Sequence, residues 1–106
     1  MLKVYSVCLE AVRDSGPIIR RVRTRNRPLA DQLERAVCSI SLNVAEGSGQ
    51  RGGNRTARYL TAIGSAREAR TAIEVAIALG YAPPSEKLID KLEKIAATLI
   101  NATQHR

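Results

Sequence analysis

Aromatic side chains are scarce in this chain of 106 residues, which contains three tyrosines and neither phenylalanine nor tryptophan. Hydrophobic residues nevertheless make up 44% of the sequence, so global disorder is not expected. The core must therefore be built from Ala, Leu, Ile and Val, which favours closely packed helices over a β-sandwich. For this length, a single domain over residues 1–106 is the default expectation.

Cysteine, histidine and long apolar runs are also nearly absent. Cys8 and Cys38 stand among apolar residues, which predicts two buried free thiols rather than a disulfide or a zinc site. The sole histidine is His105, near the C-terminus, so we predict no metal site, no cofactor and no catalytic residues. No run reaches the ~20 apolar residues of a membrane span, and the amphipathic N-terminal segment is unlike a signal peptide. We therefore expect a soluble cytoplasmic protein without a membrane partner.

Acidic residues are few in the middle of the chain, and this asymmetry is its main functional signal. The formal net charge of +7 arises between Arg20 and Arg70, where eleven arginines oppose four acidic residues. The rest of the chain has six basic and six acidic residues and sums to zero. Because guanidinium groups bind phosphates and carboxylates as planar forks, the pattern indicates a polyanion or an acidic partner. A solvated face that only keeps the protein soluble is the alternative.

Apolar residues recur at helical spacing in four segments, and no segment alternates for long enough to form a strand. The predicted helices cover residues of about 2–24, 29–46, 55–79 and 86–102. Gly16 and Pro17 either kink the first helix or divide it. Gly47 is expected to end the second helix, while Asn54 and Ser85 are expected to cap the third and fourth. Short connections between four such helices predict an all-α, antiparallel up-down-up-down four-helix bundle.

Arginines near the first two turns are the candidate binding residues. The predicted nucleic-acid-binding set is Arg20, Arg21, Arg23, Arg25, Arg27, Arg51, Arg55 and Arg58. The first five either stabilise the end of a helix or form a patch that contacts phosphates. The last three flank a glycine-rich turn that lacks the G-x-x-x-x-G-K-[ST] order of a nucleotide-binding loop. With so few aromatic residues, sequence-specific readout of single strands is not expected.

A polar stripe runs beside the apolar stripe of the second predicted helix. Its members are Arg35, Ser39, Asn43 and Glu46, spaced i, i+4, i+8 and i+11. No histidine or nucleophile accompanies the carboxylate, so we predict a structural polar network rather than a catalytic site. Glu46 is expected to pair across the turn with Arg55 or Arg58.

The third predicted helix carries an arginine and several alanines on its apolar side. Arg70 falls inside the apolar arc of this helix on a helical wheel. Its side chain must therefore extend outward to solvent or pair with an acidic residue, either in the core or, as we favour, across a subunit interface. Ala62, Ala69 and Ala76 flank the arc and would let another helix approach closely. Both features lead us to expect a homo-oligomer.

The residue order around the second predicted turn resembles one known family. The similar segments, all within residues 30–82, are Gln32–Ala36, Ser39–Gly49, Arg58–Leu60 and Gly64–Glu68. The chain is similar to the four-helix-bundle proteins encoded in intervening sequences of bacterial 23S ribosomal RNA genes, a group that includes accessory variability proteins of diversity-generating retroelements. The resemblance implies a four-helix bundle in a ring-like homopentamer. For the retroelement members it also implies a basic surface that binds nucleic acid and a reverse transcriptase.

Together these features predict a non-enzymatic, oligomeric scaffold that binds nucleic acid, with RNA favoured over DNA, through an arginine-rich surface. The alternative is a protein–protein adaptor that docks an acidic partner such as a reverse transcriptase. A small enzyme of unknown type is a third hypothesis, and it would require a pocket with two convergent carboxylates.

Overall fold

The computed structural model describes residues 3–104, and over that range it consists of four α-helices with no strand. The helices are α1 (Lys3–Arg23), α2 (Arg27–Ser48), α3 (Gly52–Ala78) and α4 (Glu86–Gln104). The predicted all-α class is confirmed. The predicted helix start at Leu2 and the sole histidine, His105, lie outside the described residues.

Successive helices run in opposite directions around the bundle. Near the start of α2, the Gln32 side chain donates a hydrogen bond to Glu68, far along α3 (3.2 Å). Near the end of α2, Asn43 accepts a bond from Arg58, close to the start of α3 (3.4 Å). Each helix packs against its neighbours in sequence, and α1 also packs against α4 to close the bundle.

The core is aliphatic, as the composition predicts, with one large aromatic residue in it. Tyr59, Leu33, Ile40, Ile73 and Leu92 are among the largest fully buried side chains. Burying such side chains is the main source of stability in a domain of this size.

The alanines of α3 pack inside this bundle rather than against a second subunit. Ala62, Ala69 and Ala76 are each 0% exposed, and the extensive α2–α3 interface lies along this helix. Small side chains let helix axes approach closely, so their role is in the fold of one chain. They therefore do not support the oligomer that the sequence pattern suggested.

The first helix is continuous through Pro17. Proline lacks an N–H, so the Arg13 carbonyl loses its usual helical partner, but both residues are exposed and water can satisfy that carbonyl. Fully buried Ser15 donates its hydroxyl to the Val12 carbonyl at 2.8 Å, so it leaves no unpaired polar group in the core. Of the two interpretations of this segment, the single helix is the one observed.

The prediction that Gly47 ends the second helix is wrong. Gly47 is buried within α2, which continues to Ser48. A Cβ added at Gly47 would lie 2.5 Å from Cε1 of Tyr59, so glycine is needed there for close approach of α3 rather than for a left-handed backbone. Gly52, with φ of 59°, is the residue in this turn that needs glycine's freedom.

Of the two predicted N-caps, Asn54 is misplaced, whereas Ser85 holds the N-cap position and its carbonyl accepts a bond from the Ile89 amide at 3.0 Å. Asn54 lies inside α3, which begins at Gly52 after an N-cap at Arg51 that makes no side-chain capping bond. Ser85 directly precedes α4, but its hydroxyl donates to the Pro83 carbonyl at 2.9 Å. The cap of α2 is Asn26, whose side chain accepts a bond from the Leu29 amide at 3.0 Å.

The antiparallel order places two sets of helix ends at opposite ends of a bundle with extents of 42 × 22 × 19 Å. The arginine-rich end contains the α1–α2 turn and the α3–α4 connection, residues 20–27 and 80–85. The glycine-rich end contains the α2–α3 turn and the first turns of α3, residues 47–58.

Candidate functional site

The eight predicted binding arginines are divided between the two ends. The arginine-rich end holds five of them: Arg20, Arg21, Arg23, Arg25 and Arg27. The glycine-rich end holds the other three: Arg51, Arg55 and Arg58. Because the bundle is 42 Å long, the two groups form separate surfaces rather than one patch.

Arg23 is neutralised by acidic residues of the neighbouring helix. Its Nη2 atom lies 2.9 Å from Asp31 Oδ1 and 2.9 Å from Glu34 Oε1. The hydrogen bonds to Asp31 and then Glu34 raise the pKa of Arg23, and the bond from Arg23 lowers the pKa of Asp31. This guanidinium ties α1 to α2 and is not available for an external phosphate.

Three of the other four arginines of this end line a shallow groove, and Arg27 lies outside it. The groove has a volume of about 320 Å³ and is lined by Arg20, Arg21, Thr24, Arg25, Gly80 and Tyr81. None of these lining residues is acidic. The guanidinium carbon of Arg25 lies 5.2 Å from the centroid of the Tyr81 ring, within the range of a cation–π contact.

A helix C-cap fixes the position of Tyr81 in this groove. Gly80 has φ of 78°, its amide donates to the Ile77 carbonyl, and the Tyr81 amide donates to the Ala76 carbonyl at 2.8 Å. These two bonds around a left-handed glycine are the Schellman motif that commonly ends helices. The turn places Tyr81 beside the end of α1, where its ring meets Arg25.

Sequence reasoning missed Tyr81 as a functional candidate. The signal that could have found it was the Gly80-Tyr81 pair at the end of α3, because antiparallel packing puts the ends of α1 and α3 at the same end of the bundle. That signal predicts at which end of the bundle Tyr81 lies, but it does not predict the contact between the side chains of Tyr81 and Arg25.

The three arginines of the glycine-rich end lie along the first turns of α3. Arg55 lies over the ring of Tyr59 at 5.3 Å, and Tyr59 is only 1% exposed. Arg58 donates to the Asn43 side chain at 3.4 Å, and Arg51 is exposed at the N-cap. Two of the three therefore contact their own chain.

The predicted polar stripe of α2 contributes two residues to a hydrogen-bonded chain between helices. The hydroxyls of Ser39 and Ser65 are 2.8 Å apart, and the Asn43 amide donates to the Ser39 hydroxyl at 3.1 Å. The side chains of Arg35 and Glu46 line the neighbouring groove but make no hydrogen bond or ion pair within residues 3–104. The expected ion pair of Glu46 with Arg55 or Arg58 is therefore not formed.

Arg70 meets acidic residues of its own chain. Its Nη1 lies 3.0 Å from Glu93 of α4, and its Nε lies 3.7 Å from Glu74 on the same helix. The side chain is 40% exposed, so it reaches the α3–α4 surface instead of the core. The subunit interface that we favoured for this residue is not needed to explain it.

The two thiols differ in environment. Cys8 is buried, and desolvation raises its pKa to about 11, so it remains protonated at neutral pH. Cys38 is exposed, which corrects the prediction that both thiols are buried.

Neither a cluster of metal-binding side chains nor a membrane-spanning helix occurs within residues 3–104. Residues 3–104 contain no group of three or more His, Cys, Asp or Glu side chains placed to hold a metal ion. Within the same range, every helix falls short of the length or the apolar character required to cross a membrane.

Comparison with known proteins relates the whole fold to one family. The family model described as 23S rRNA-intervening sequence protein matches residues 2–101. A crystal structure of a Bacteroides thetaiotaomicron protein of unknown function, from the S23 ribosomal protein family, superposes with a TM-score of 0.85. The alignment covers 94% of this chain and 97% of that chain at 18% sequence identity, so the likeness shows a shared fold. No curated protein sequence matches the chain.

Proposed function

We propose that this chain, which belongs to the 23S rRNA-intervening sequence protein family, is a non-enzymatic, cytoplasmic scaffold that binds nucleic acid, RNA in preference to DNA, at its arginine-rich end. The observation that carries the proposal is the groove lined by Arg20, Arg21 and Arg25 without an acidic side chain. Guanidinium groups that are not paired with a protein carboxylate can form bidentate, charge-assisted hydrogen bonds to phosphate oxygens.

The glycine-rich end supports this role less well. Arg58 already donates to Asn43, and the groove that Arg58 lines also contains the acidic side chain of Glu46. A strand held at the arginine-rich end would instead contact several guanidinium groups at once, which raises affinity and orients the backbone.

The central experiment compares charge reversal at the two ends. One variant carries Arg20→Glu, Arg21→Glu and Arg25→Glu, and the matched control carries Arg51→Glu, Arg55→Glu and Arg58→Glu. Both change the net charge equally, so long-range electrostatics is comparable. Binding of a fluorescent RNA is measured against salt concentration, with circular dichroism to verify folding of each variant.

We expect the first variant to lose most of its RNA affinity and the control to retain most of it. The slope of log affinity against log salt should fall by about 0.7 for each lost single-strand phosphate contact. Equal losses in the two variants, or no salt-dependent binding by the wild-type protein after nucleic acid is removed, would overturn the proposal. Unchanged RNA binding with loss of an acidic protein partner, such as a reverse transcriptase, would instead support the adaptor function.

The scaffold is proposed to be a homo-oligomer, a pentamer as the family resemblance implies. The support comes from exposed leucines rather than from the buried alanines of α3. Leu42 of α2 is 66% exposed and Leu60 of α3 is 56% exposed, and association that covered them would remove apolar surface from water. Repeating one weak RNA site around a ring would raise the overall affinity through avidity.

Light scattering tests the assembly directly. The wild-type protein should have a mass several times the 11.5 kDa of one chain, and the variant Leu42→Ser/Leu60→Ser should shift toward that single mass. Leu9→Ser, on the exposed side of α1, serves as the control and should leave the mass unchanged. A wild-type mass of one chain at micromolar concentration would refute the oligomer.

A further inference from the structure

The groove at the arginine-rich end contains an aromatic ring as well as positive charge. Tyr81 is half-buried, so part of the ring contributes to the groove wall beside Arg20 and Arg21. It is one of only three aromatic residues in the chain. A surface that only keeps the protein soluble would not need an aromatic wall.

Resting on the RNA-binding function proposed above, we infer that this groove binds one unpaired nucleotide, with its phosphate on Arg20 and Arg21 and its base stacked against Tyr81 and Arg25. Aromatic rings and planar guanidinium groups are the surfaces on which proteins stack exposed bases. Only an unpaired base can offer its flat face, because the bases of a duplex are stacked on one another. The inference therefore distinguishes single-stranded from double-stranded RNA.

The size and rigidity of the groove fit a single nucleotide. Its volume of about 320 Å³ lies at the lower limit of the ~300–1,000 Å³ range of small-molecule sites, so it accommodates one unit of a strand. The Gly80 turn holds the backbone of Tyr81 through two hydrogen bonds, and Arg25 already lies against the ring. A preformed stack loses little side-chain freedom on binding.

The scarcity of aromatic residues argued only against sequence-specific readout of single strands. Tyr81 is 56 positions from Arg25 in sequence, and only the tertiary structure brings the two side chains together. One aromatic ring supports binding of an unpaired base without requiring a particular base, because every base has a π-face.

The test measures the affinity of the full chain for a short single-stranded RNA and for the blunt duplex of the same sequence. Tyr81→Leu keeps an apolar side chain but removes the aromatic face, and Tyr81→Phe keeps that face. We expect Tyr81→Leu to weaken single-strand binding by roughly 5-fold to 100-fold. Tyr81→Phe should retain nearly wild-type affinity, and duplex binding should change little in both variants.

The outcomes separate this inference from the proposed function. If the wild-type protein binds RNA but Tyr81→Leu changes single-strand and duplex affinity equally, or changes neither, the stacking inference is overturned while RNA binding stands. If Tyr81→Phe loses affinity as strongly as Tyr81→Leu, the aromatic face is not the determinant. If the wild-type protein binds no RNA at low salt, the proposed function itself fails.

Discussion

The two ends of the bundle contain the same pair of side chains in different settings. At the arginine-rich end, Arg25 lies 5.2 Å from the ring of Tyr81, and at the glycine-rich end, Arg55 lies 5.3 Å from the ring of Tyr59. Tyr59 is 1% exposed and packs against Gly47, whereas Tyr81 is half-buried and lines a groove. The geometry of the two stacks is nearly equal, so the difference lies in what surrounds each ring.

This difference in surroundings assigns separate roles to two arginine–tyrosine pairs with nearly equal separations. At the glycine-rich end, the tyrosine is part of the core and the arginine covers it, so the pair stabilises the α2–α3 packing. At the arginine-rich end, both members border solvent and adjoin Arg20 and Arg21, which form no ion pair within residues 3–104, so the pair is available to a ligand. Substitutions that separate stability from binding test the distinction.

The largest expected effect comes from removing each ring. Tyr59→Ala should lower the free energy of unfolding by about 3–5 kcal/mol because it empties a fully buried position. Tyr81→Ala should lower it by less, about 1–2 kcal/mol, since the half-buried ring loses some packing against the core together with a partly exposed cation–π contact. Urea unfolding measures both values, and equal losses would mean that the two ends do not differ as described.

The close approach at the glycine-rich end predicts an unusual response to alanine. Gly47→Ala places a Cβ 2.5 Å from the Tyr59 ring, so overpacking should exceed the gain in helix propensity and lower the unfolding free energy by about 1–2 kcal/mol. Gly64→Ala is the matched control, because a Cβ there meets nothing within 4 Å. That variant should gain about 0.5–1 kcal/mol. Thermal unfolding of the pair checks the result, and stabilisation by Gly47→Ala would contradict the packing.

The buried hydroxyl of Tyr59 gives a smaller test of the same packing. Its oxygen is buried and has no hydrogen-bond partner among the described residues. An unpaired buried hydroxyl is unfavourable, so Tyr59→Phe should raise the unfolding free energy by about 1 kcal/mol. Tyr81→Phe, at the partly exposed ring, should change it little. A loss of stability in Tyr59→Phe would show that the hydroxyl has a partner such as bound water.

The smallest effect concerns the ion pair of the arginine-rich end. Arg23 holds the pKa of Asp31 below its ordinary value of 3.8, so its contribution to stability is present above that pH. The contribution is lost as the pH falls through the lowered pKa of the folded protein. Asp31→Asn should therefore be slightly less stable than wild type near neutral pH, with the difference disappearing in acid. Asp90→Asn is the control, because this exposed carboxylate of α4 forms no ion pair among the described residues.

The features of this protein that the sequence predicted well are those that depend on local interactions. The apolar periodicity predicted four helices and their class, because a helix buries one stripe wherever its partner lies. The caps were predicted less well: Asn54 lies within α3, and Gly47 is helical and buried. The sequence does not distinguish Gly47, which must be glycine because the Tyr59 ring lies close to it, from Gly52, which must be glycine because of its positive φ.

The candidate site was likewise predicted only in part from the sequence. The sequence identified the concentration of arginines at residues 20–27, but it could not distinguish Arg23, which Asp31 and Glu34 neutralise, from Arg20 and Arg21, which line the groove. It also grouped arginines of the two ends into one surface. The net charge of a segment is the sum of the charges of its residues, whereas the charge of a surface depends on which side chains lie together in the fold.

By itself, the sequence determined the aliphatic four-helix architecture, the excess of arginine in the middle of the chain and the resemblance to its family, because periodicity and composition are properties of neighbouring positions. Only the tertiary structure decided that Tyr81 joins the arginines of one end. It also decided that Tyr59 is enclosed at the other end. These outcomes depend on antiparallel packing and on side-chain contacts between residues far apart in the chain, and no local pattern encodes them.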